Sequence, residues 1–300
     1  MIDATSQTPP IPQDETKPHT PTSIILTFLN QLHYVTPTYP STALLERDLA
    51  RTIDSWAITD IDRHVPHMIT PAAAMAEMSY HHHEYQVKRL IALFTFFMIY
   101  IDDRSSRCDP APFAAFQQNY ALQRQQMDPV LDHFAVCLAG MWNYYDPFTA
   151  NAIVASALEF VNGCYLESIT ANMEVNPSAD RYPYFLRSKT GVAQAYTFMI
   201  FPKSVHPSPR GFIQAAPSVS YWIDITNDIL SFYKEELAHE TANYVHLRAA
   251  VVRREPMQVV RDLVEEALSA SWSIESTLKE DALAAWYTFK VRHAGLPIRR

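Results

Sequence analysis

From His83 to Asp103 the chain reads HEYQVKRLIALFTFFMIYIDD, with no glycine, no proline and no strand-like alternation. An apolar stretch of this length without a breaker reads as a buried helix. The rest of the chain has the same character. Only five of its 300 residues are glycine. That is far below the usual share and argues against a turn-rich β fold or a glycine-rich nucleotide fold. Hydrophobic residues make up 48% of the chain, enough to bury a sizeable core.

Further helical segments follow from the punctuation. PTSIILTFLNQLHYV has Ser23 as its candidate N-cap, and Pro37 and Pro40 end it. STALLERDLARTIDSWAI restarts the pattern, and Pro71 is expected to open PAAAMAEMSY. APFAAFQQNYALQRQQM, PVLDHFAVCLAGMWNYY and PFTANAIVASALEFVNGCYLESIT come next. After the loop NPSADRYP, the segment YFLRSKTGVAQAYTFMIF contains Gly191. An interior glycine costs about 1 kcal/mol against alanine, so a kink or a close backbone approach is expected there. APSVSYWIDITNDILSFYKEELAHE, NYVHLRAAVVR, PMQVVRDLVEEALSASWSIESTL and a last helix through AWYTFKV complete the chain. The expectation is one all-α domain of roughly ten helices over residues 22–300, after a Pro-, Thr- and Gln-rich disordered lead-in over 1–21.

The net charge of −8 argues against a nucleic-acid binder with a basic surface, though not against a local patch for a small anion. Cys108, Cys137 and Cys164 are odd in number and widely spaced. They suggest neither a disulfide framework nor a zinc site, and a reducing, cytoplasmic compartment is the simplest reading. The N-terminus lacks the pattern of a signal peptide, and no run of about 18 apolar residues predicts a membrane span.

Two places carry chemistry. In NDILSFYKEE, residues 227–236, an amide, a hydroxyl and a carboxylate recur at every fourth position: Asn227, Ser231 and Glu235. Residues four apart are displaced by about 40° around a helix, so the three share one face, and Lys234 falls in the same sector. These are hard oxygen ligands of the kind that suit Mg²⁺, which shares its shell with water and substrate phosphates. The plainer alternative is a solvated helix face. The apolar Ile223, Ile225, Ile229, Leu230 and Phe232 on the remaining sides favour a column that faces something enclosed. The second place is Asp102 and Asp103, at the end of the long apolar helix. Acids there oppose the helix dipole, which a bound cation would relieve. An exposed helix end neutralised by Arg104 and Arg107 is the competing account.

In these two places together the chain resembles the class I terpene cyclases, and within them the fungal trichodiene synthase-like sesquiterpene cyclases. NDILSFYKE matches their metal-binding triad, Ile101–Asp103 matches the start of their aspartate motif, and FLRSKTG at 185–191 resembles the segment with their diphosphate-sensing arginine, here Arg187. The resemblance spans residues 80 to 295. It implies a helical bundle around an apolar cavity, three Mg²⁺ ions and a prenyl diphosphate substrate, with farnesyl diphosphate the expected one. Asp102, Asp103, Asn227, Ser231 and Glu235 would then bind metal. Arg187 and Lys234 would meet the diphosphate, with Arg181 as a second candidate. Thr95, Met98, Ile99, Tyr196 and Trp222 would line the cavity, although each also suits an ordinary core position. Members are often homodimers. Two departures stand out: Ser106 occupies the position of a further acid, and the chain stops at GLPIRR without the family's final Arg-Tyr pair. They support the competing reading of a non-catalytic relative that binds prenyl diphosphate or acts as a helical interaction module. Geranyl and geranylgeranyl diphosphate are alternative substrates. His81, His82 and His83 point in different helical directions and are expected at the surface or behind the site.

Overall fold

The computed structural model describes residues 20–35, 40–58, 61, 65–171, 173–282, 284, 285 and 289. The expected lead-in falls mostly outside these residues, as do most of the AWYTFKV helix and all of GLPIRR. The helices are α1 (Pro21–Gln31), α2 (Ala43–Asp54), α3 (Val65–Ser79), α4 (Tyr85–Ser105), α5 (Ala111–Ala121), α6 (Pro129–Ala139), α7 (Met141–Tyr144), α8 (Pro147–Thr170), α9 (Tyr182–Thr190), α10 (Ala193–Phe198), α11 (Ala216–Leu237), α12 (Tyr244–Val252) and α13 (Pro256–Asp281). No strand occurs among the described residues.

Local chemistry accounts for most boundaries. The Asp146 carboxylate accepts from the N–H groups of Phe148 and Thr149, and Pro147 supplies a preset first helical turn, so α8 starts where its sequence suggests. Three expectations need correction. Thr20, not Ser23, caps α1; Ser23 sits three residues on and closes a reciprocal capping box with it. Pro71 does not open a helix but lies inside α3, and the flanking Met68, Ile69, Ala72 and Ala73 are buried. Tertiary packing there outweighs the backbone hydrogen bond that proline removes. His83 is buried rather than superficial, with Nε2 2.9 Å from the carbonyl of Met199.

The segment with Gly191 forms two helices. Gly191 caps α9, and Val192 follows at φ 50°, in the left-handed region. A β-branched residue enters that region only when its surroundings compel it. Val192 is buried, and the next helix is pinned from outside: Tyr80 Oη donates to the carbonyl of Tyr196 at 2.7 Å, and Tyr145 Oη to that of Met199 at 3.2 Å.

α4 is apolar on nearly every side and runs through the core, beside α3 on one flank and near α6 and α8 on the others. α10 lies between α8 and α11, while α9 touches α8 and α12. Gly163 permits the α8–α9 approach, because a Cβ there would sit 2.9 Å from the carbonyl oxygen of Lys189. α8 is the one described helix long and apolar enough to cross a membrane. No such run was expected, since Asn151, Ser156 and Glu159 interrupt it, but alanine, valine and isoleucine carry the average. It packs against α5, α7, α9 and α10 within the bundle.

Candidate active site

α11 supplies the polar column. Its apolar side buries Val219, Trp222, Ile225, Ile229 and Phe232 against the core. On the other side Ser231 and Glu235 are half-buried, while Asn227 and Lys234 are exposed. The Oγ of Ser231 is buried and has no hydrogen-bond partner. A buried hydroxyl left unsatisfied carries a desolvation penalty, so such an atom marks a place where a partner belongs. Beside it lie an amide and a carboxylate, hard oxygen donors of the type Mg²⁺ takes. These residues therefore fit the metal that the fold family implies.

The column is wider than its motif. Asp224 and Asp228 lie about 60° and 100° around the helix from Asn227, next to Ser231 and Glu235. Both are buried, and both hold Arg187 of α9. Arg187 Nε donates to both carboxylate oxygens of Asp228, at 2.8 and 3.0 Å. Nη2 donates to the carbonyl of Asp224 at 3.0 Å. Nη1 lies 3.0 Å from Oδ1 of Asp224, an ion pair set off the angle of a hydrogen bond. Burial works against the Arg187 charge, but the two carboxylates more than offset it and hold the guanidinium protonated. The carboxylates share one cation. Burial first, and then their mutual repulsion in the case of Asp224, push Asp224 to about 7 and Asp228 to about 6 despite Arg187. Gly191 is required beneath this cluster, since a Cβ there would overlap Nη1 of Arg187 and Oδ1 of Asp224.

The end of α4 faces the same region through α8. Asp102 is exposed. Asp103 turns toward α3, where His67 Nε2 lies 3.5 Å from its carboxylate. Ser106, in the position of the absent acid, caps α4 and its side chain is exposed. Another acid stands nearby: Glu167 of α8. Burial and then the charge of Asp102 raise it to about 7, with Arg187 and the Thr190 hydroxyl acting the other way. Glu167 thus feels Asp102 on one side and Arg187 on the other, and Arg187 in turn feels Glu235. The aspartate end of α4 and the triad of α11 are linked electrostatically through α8 and α9. Sequence reasoning missed Glu167, Asp224 and Asp228. For Asp224 and Asp228 the helical spacing to Ser231 and Glu235 was an available signal; an isolated acid in α8 offered none.

The expected cavity residues divide. Tyr196 Oη donates to Thr95 Oγ1 at 3.1 Å, bringing α10 onto α4, and Phe94 meets Tyr196 edge-on. Met98 is buried and Ile99 half-buried on the same helix. Trp222 lies about 140° around α11 from Asn227 and packs edge-on against Phe289. Arg181 is exposed just before α9, about 9 Å along the axis from Arg187.

An all-helical bundle that brings carboxylates, an oxygen triad and a half-buried arginine together beside an apolar core is the arrangement of a class I terpene synthase. The family described as "Trichodiene synthase (TRI5)" matches residues 46–289, and the chain belongs to that family. It is thereby a terpene synthase, an enzyme that breaks the carbon–oxygen bond of a prenyl diphosphate. Among its relatives is "Monoterpene synthase 25" of Postia placenta, 32% identical over 273 residues, covering 89% of this chain and 80% of the relative. "Alpha-cuprenene synthase COP6" of Coprinopsis cinerea is 34% identical over 212 residues, covering 70% and 64%. Among solved structures, the linalool/nerolidol synthase from Streptomyces clavuligerus superposes with a TM-score of 0.65 over 87% of this chain and 96% of that one. At 13% identity that likeness speaks for the fold alone.

Proposed function

We propose that this enzyme is a Mg²⁺-dependent sesquiterpene cyclase acting on farnesyl diphosphate. The observation that carries the reading is the orphaned Ser231 Oγ, set between Asn227 and Glu235 on the face of α11 that also holds Arg187. Asp102, Glu167, Asn227, Ser231 and Glu235 would hold the metal. Magnesium, when bound, would neutralise the departing diphosphate and weaken the allylic carbon–oxygen bond.

The protein's residues do the rest. Arg187, kept charged by Asp224 and Asp228, faces the charge that develops as the bond breaks, with its orientation fixed in advance. Lys234 is exposed beside the triad and adds positive charge at the rim. The bonding pair leaves with the diphosphate, and the allylic cation remains among Thr95, Met98, Ile99 and Tyr196. An apolar enclosure excludes water from that cation, and aromatic faces stabilise it by about 0.5–2 kcal/mol each. Glu167 would stand in for the acid that Ser106 lacks, because its charge is coupled to that of Asp102 from another helix. A cytoplasmic setting belongs to this proposal on the sequence reading of the three cysteines. Homodimerisation belongs to this proposal on the family resemblance.

Farnesyl diphosphate incubated with and without Mg²⁺, followed by gas chromatography–mass spectrometry of a pentane extract, tests the reading. A cyclic C15 product only with Mg²⁺ is expected. Turnover of geranyl diphosphate alone would favour monoterpene formation, the activity named for the Postia placenta relative. Prenyl diphosphate binding without metal-dependent release would leave a non-catalytic relative.

A further inference from the structure

We propose that Asn243, outside the NDILSFYKE motif, is a positioning residue that holds the Glu235 carboxylate in its metal-binding orientation. The proposal rests on the reading of Glu235 as a metal ligand.

Asn243 precedes α12 and is its N-cap. Its side chain makes four hydrogen-bond contacts. Nδ2 donates to Glu235 Oε2 at 2.9 Å and to the carbonyl of Glu240 at 2.9 Å. Oδ1 accepts from the backbone N–H of His246 at 3.0 Å and lies 2.9 Å from Nδ1 of the same residue. A side-chain amide offers two N–H donors and two lone pairs, so its capacity is used in full. The partners also fix which way the amide faces. A carboxylate and a carbonyl only accept, so the NH₂ group must meet them; a backbone N–H only donates, so Oδ1 must meet His246. His246 is itself braced, with Nε2 3.1 Å from Glu236 Oε1 and its ring 6.1 Å from that of the buried Phe232.

Glu235 needs such bracing. It stands in the last turn of α11, which ends at Leu237, and helix ends fray. Ser231 and Asn227 lie about one and two turns deeper in the helix. A freely rotating carboxylate would have to be ordered each time metal bound. Partners that orient metal ligands are worth about 10–100-fold in affinity. Capping alone does not explain the arrangement. The cap uses only Oδ1, and the Nδ2 bond to Glu235 contributes nothing to it.

This separation gives the test. Asn243→Ser and Asn243→Asp both keep a good N-cap and both remove the donor to Glu235. The full-length variants are melted by scanning fluorimetry across a Mg²⁺ titration with inorganic pyrophosphate. In metal-free buffer the Ser variant should melt slightly below the wild type, by the two lost Nδ2 bonds, and the Asp variant lower still. Half-maximal thermal shift should need about tenfold more Mg²⁺ or beyond, with Asp worse than Ser because it sets a second carboxylate against Glu235. In a Glu235→Ala background, Asn243→Ser should add no further loss. Should the Asp variant fold poorly, the Ser variant decides. Half-saturation at the wild-type Mg²⁺ concentration would make Asn243 a cap and nothing more, overturning the proposal. A wild type with no Mg²⁺-dependent shift would overturn the metal reading of the triad, and the role of Asn243 with it.

Discussion

The guanidinium of Arg187 meets Asp228 through Nε, 2.8 Å from Oδ1 and 3.0 Å from Oδ2. The arginine expected to grip diphosphate is thus already engaged before any substrate arrives, with Asp224 on its other edge. A ligand meets a cation whose direction is set, so little ordering is left for the moment of reaction.

Removal of that cation should be severe. Arg187→Ala leaves two buried carboxylates without a partner, and breaking a buried pair costs about 3–5 kcal/mol. Asp224 and Asp228 sit at about 7 and 6 even with Arg187 present. They escape their charge by taking up protons, so the loss should be larger at pH 8 than at pH 5. Urea denaturation at the two pH values checks this. Equal losses would mean that the carboxylates do not bear on stability.

Glu167 predicts a pH dependence of the metal-free enzyme. Its pKa rises from 4.5 to about 7 on folding, chiefly through burial and then through Asp102. Between those values the folded chain holds more of this proton than the unfolded chain. This group's contribution to stability therefore falls as pH rises through that window and is least above about pH 7. Glu167→Gln should abolish that slope and raise stability at pH 8, while turnover with Mg²⁺ drops sharply. Parallel melting profiles of the two proteins from pH 5 to pH 8 would refute the assignment.

Gly191→Ala should act on chemistry through the Arg187 cluster. The glycine backbone is ordinary there, with φ −83°, so the demand is for space and not for conformation. A methyl group would push Arg187 Nη1 and Asp224 Oδ1 apart. Turnover should fall at least about 100-fold, in line with the sensitivity of positioned groups to shifts of about 1 Å, and the far-ultraviolet spectrum should stay helical. An alanine variant with wild-type kcat would show that the cluster tolerates rearrangement.

Ser231→Ala sets stability against function. The hydroxyl is buried and unpartnered without metal, so its removal should leave the metal-free melting temperature unchanged or slightly higher. The same change should raise the Mg²⁺ concentration needed for half-maximal turnover by about tenfold or more. A variant that is destabilised without metal and normal in its Mg²⁺ response would place Ser231 in the scaffold instead.

Much of this molecule was legible along the chain. Scarce glycine and long breaker-free apolar stretches specify helices, because backbone preference and periodicity are local. The four-residue spacing of Asn227, Ser231 and Glu235 reads directly as a column for the same reason. Other features depend on which helix lies against which. Sequence spacing alone does not say that Glu167 of α8 is electrostatically coupled to Asp102 of α4, that Asp103 turns toward His67, that Trp222 packs on Phe289, or that Asn243 reaches back to Glu235. Pro71 within α3 and Val192 at a positive φ go against local preference, and the packing around them decides their conformation. The sequence by itself determined the helices and the polar column on α11. Only the tertiary structure decided which charges share a buried space, because burial and pairing arise between residues far apart in the chain.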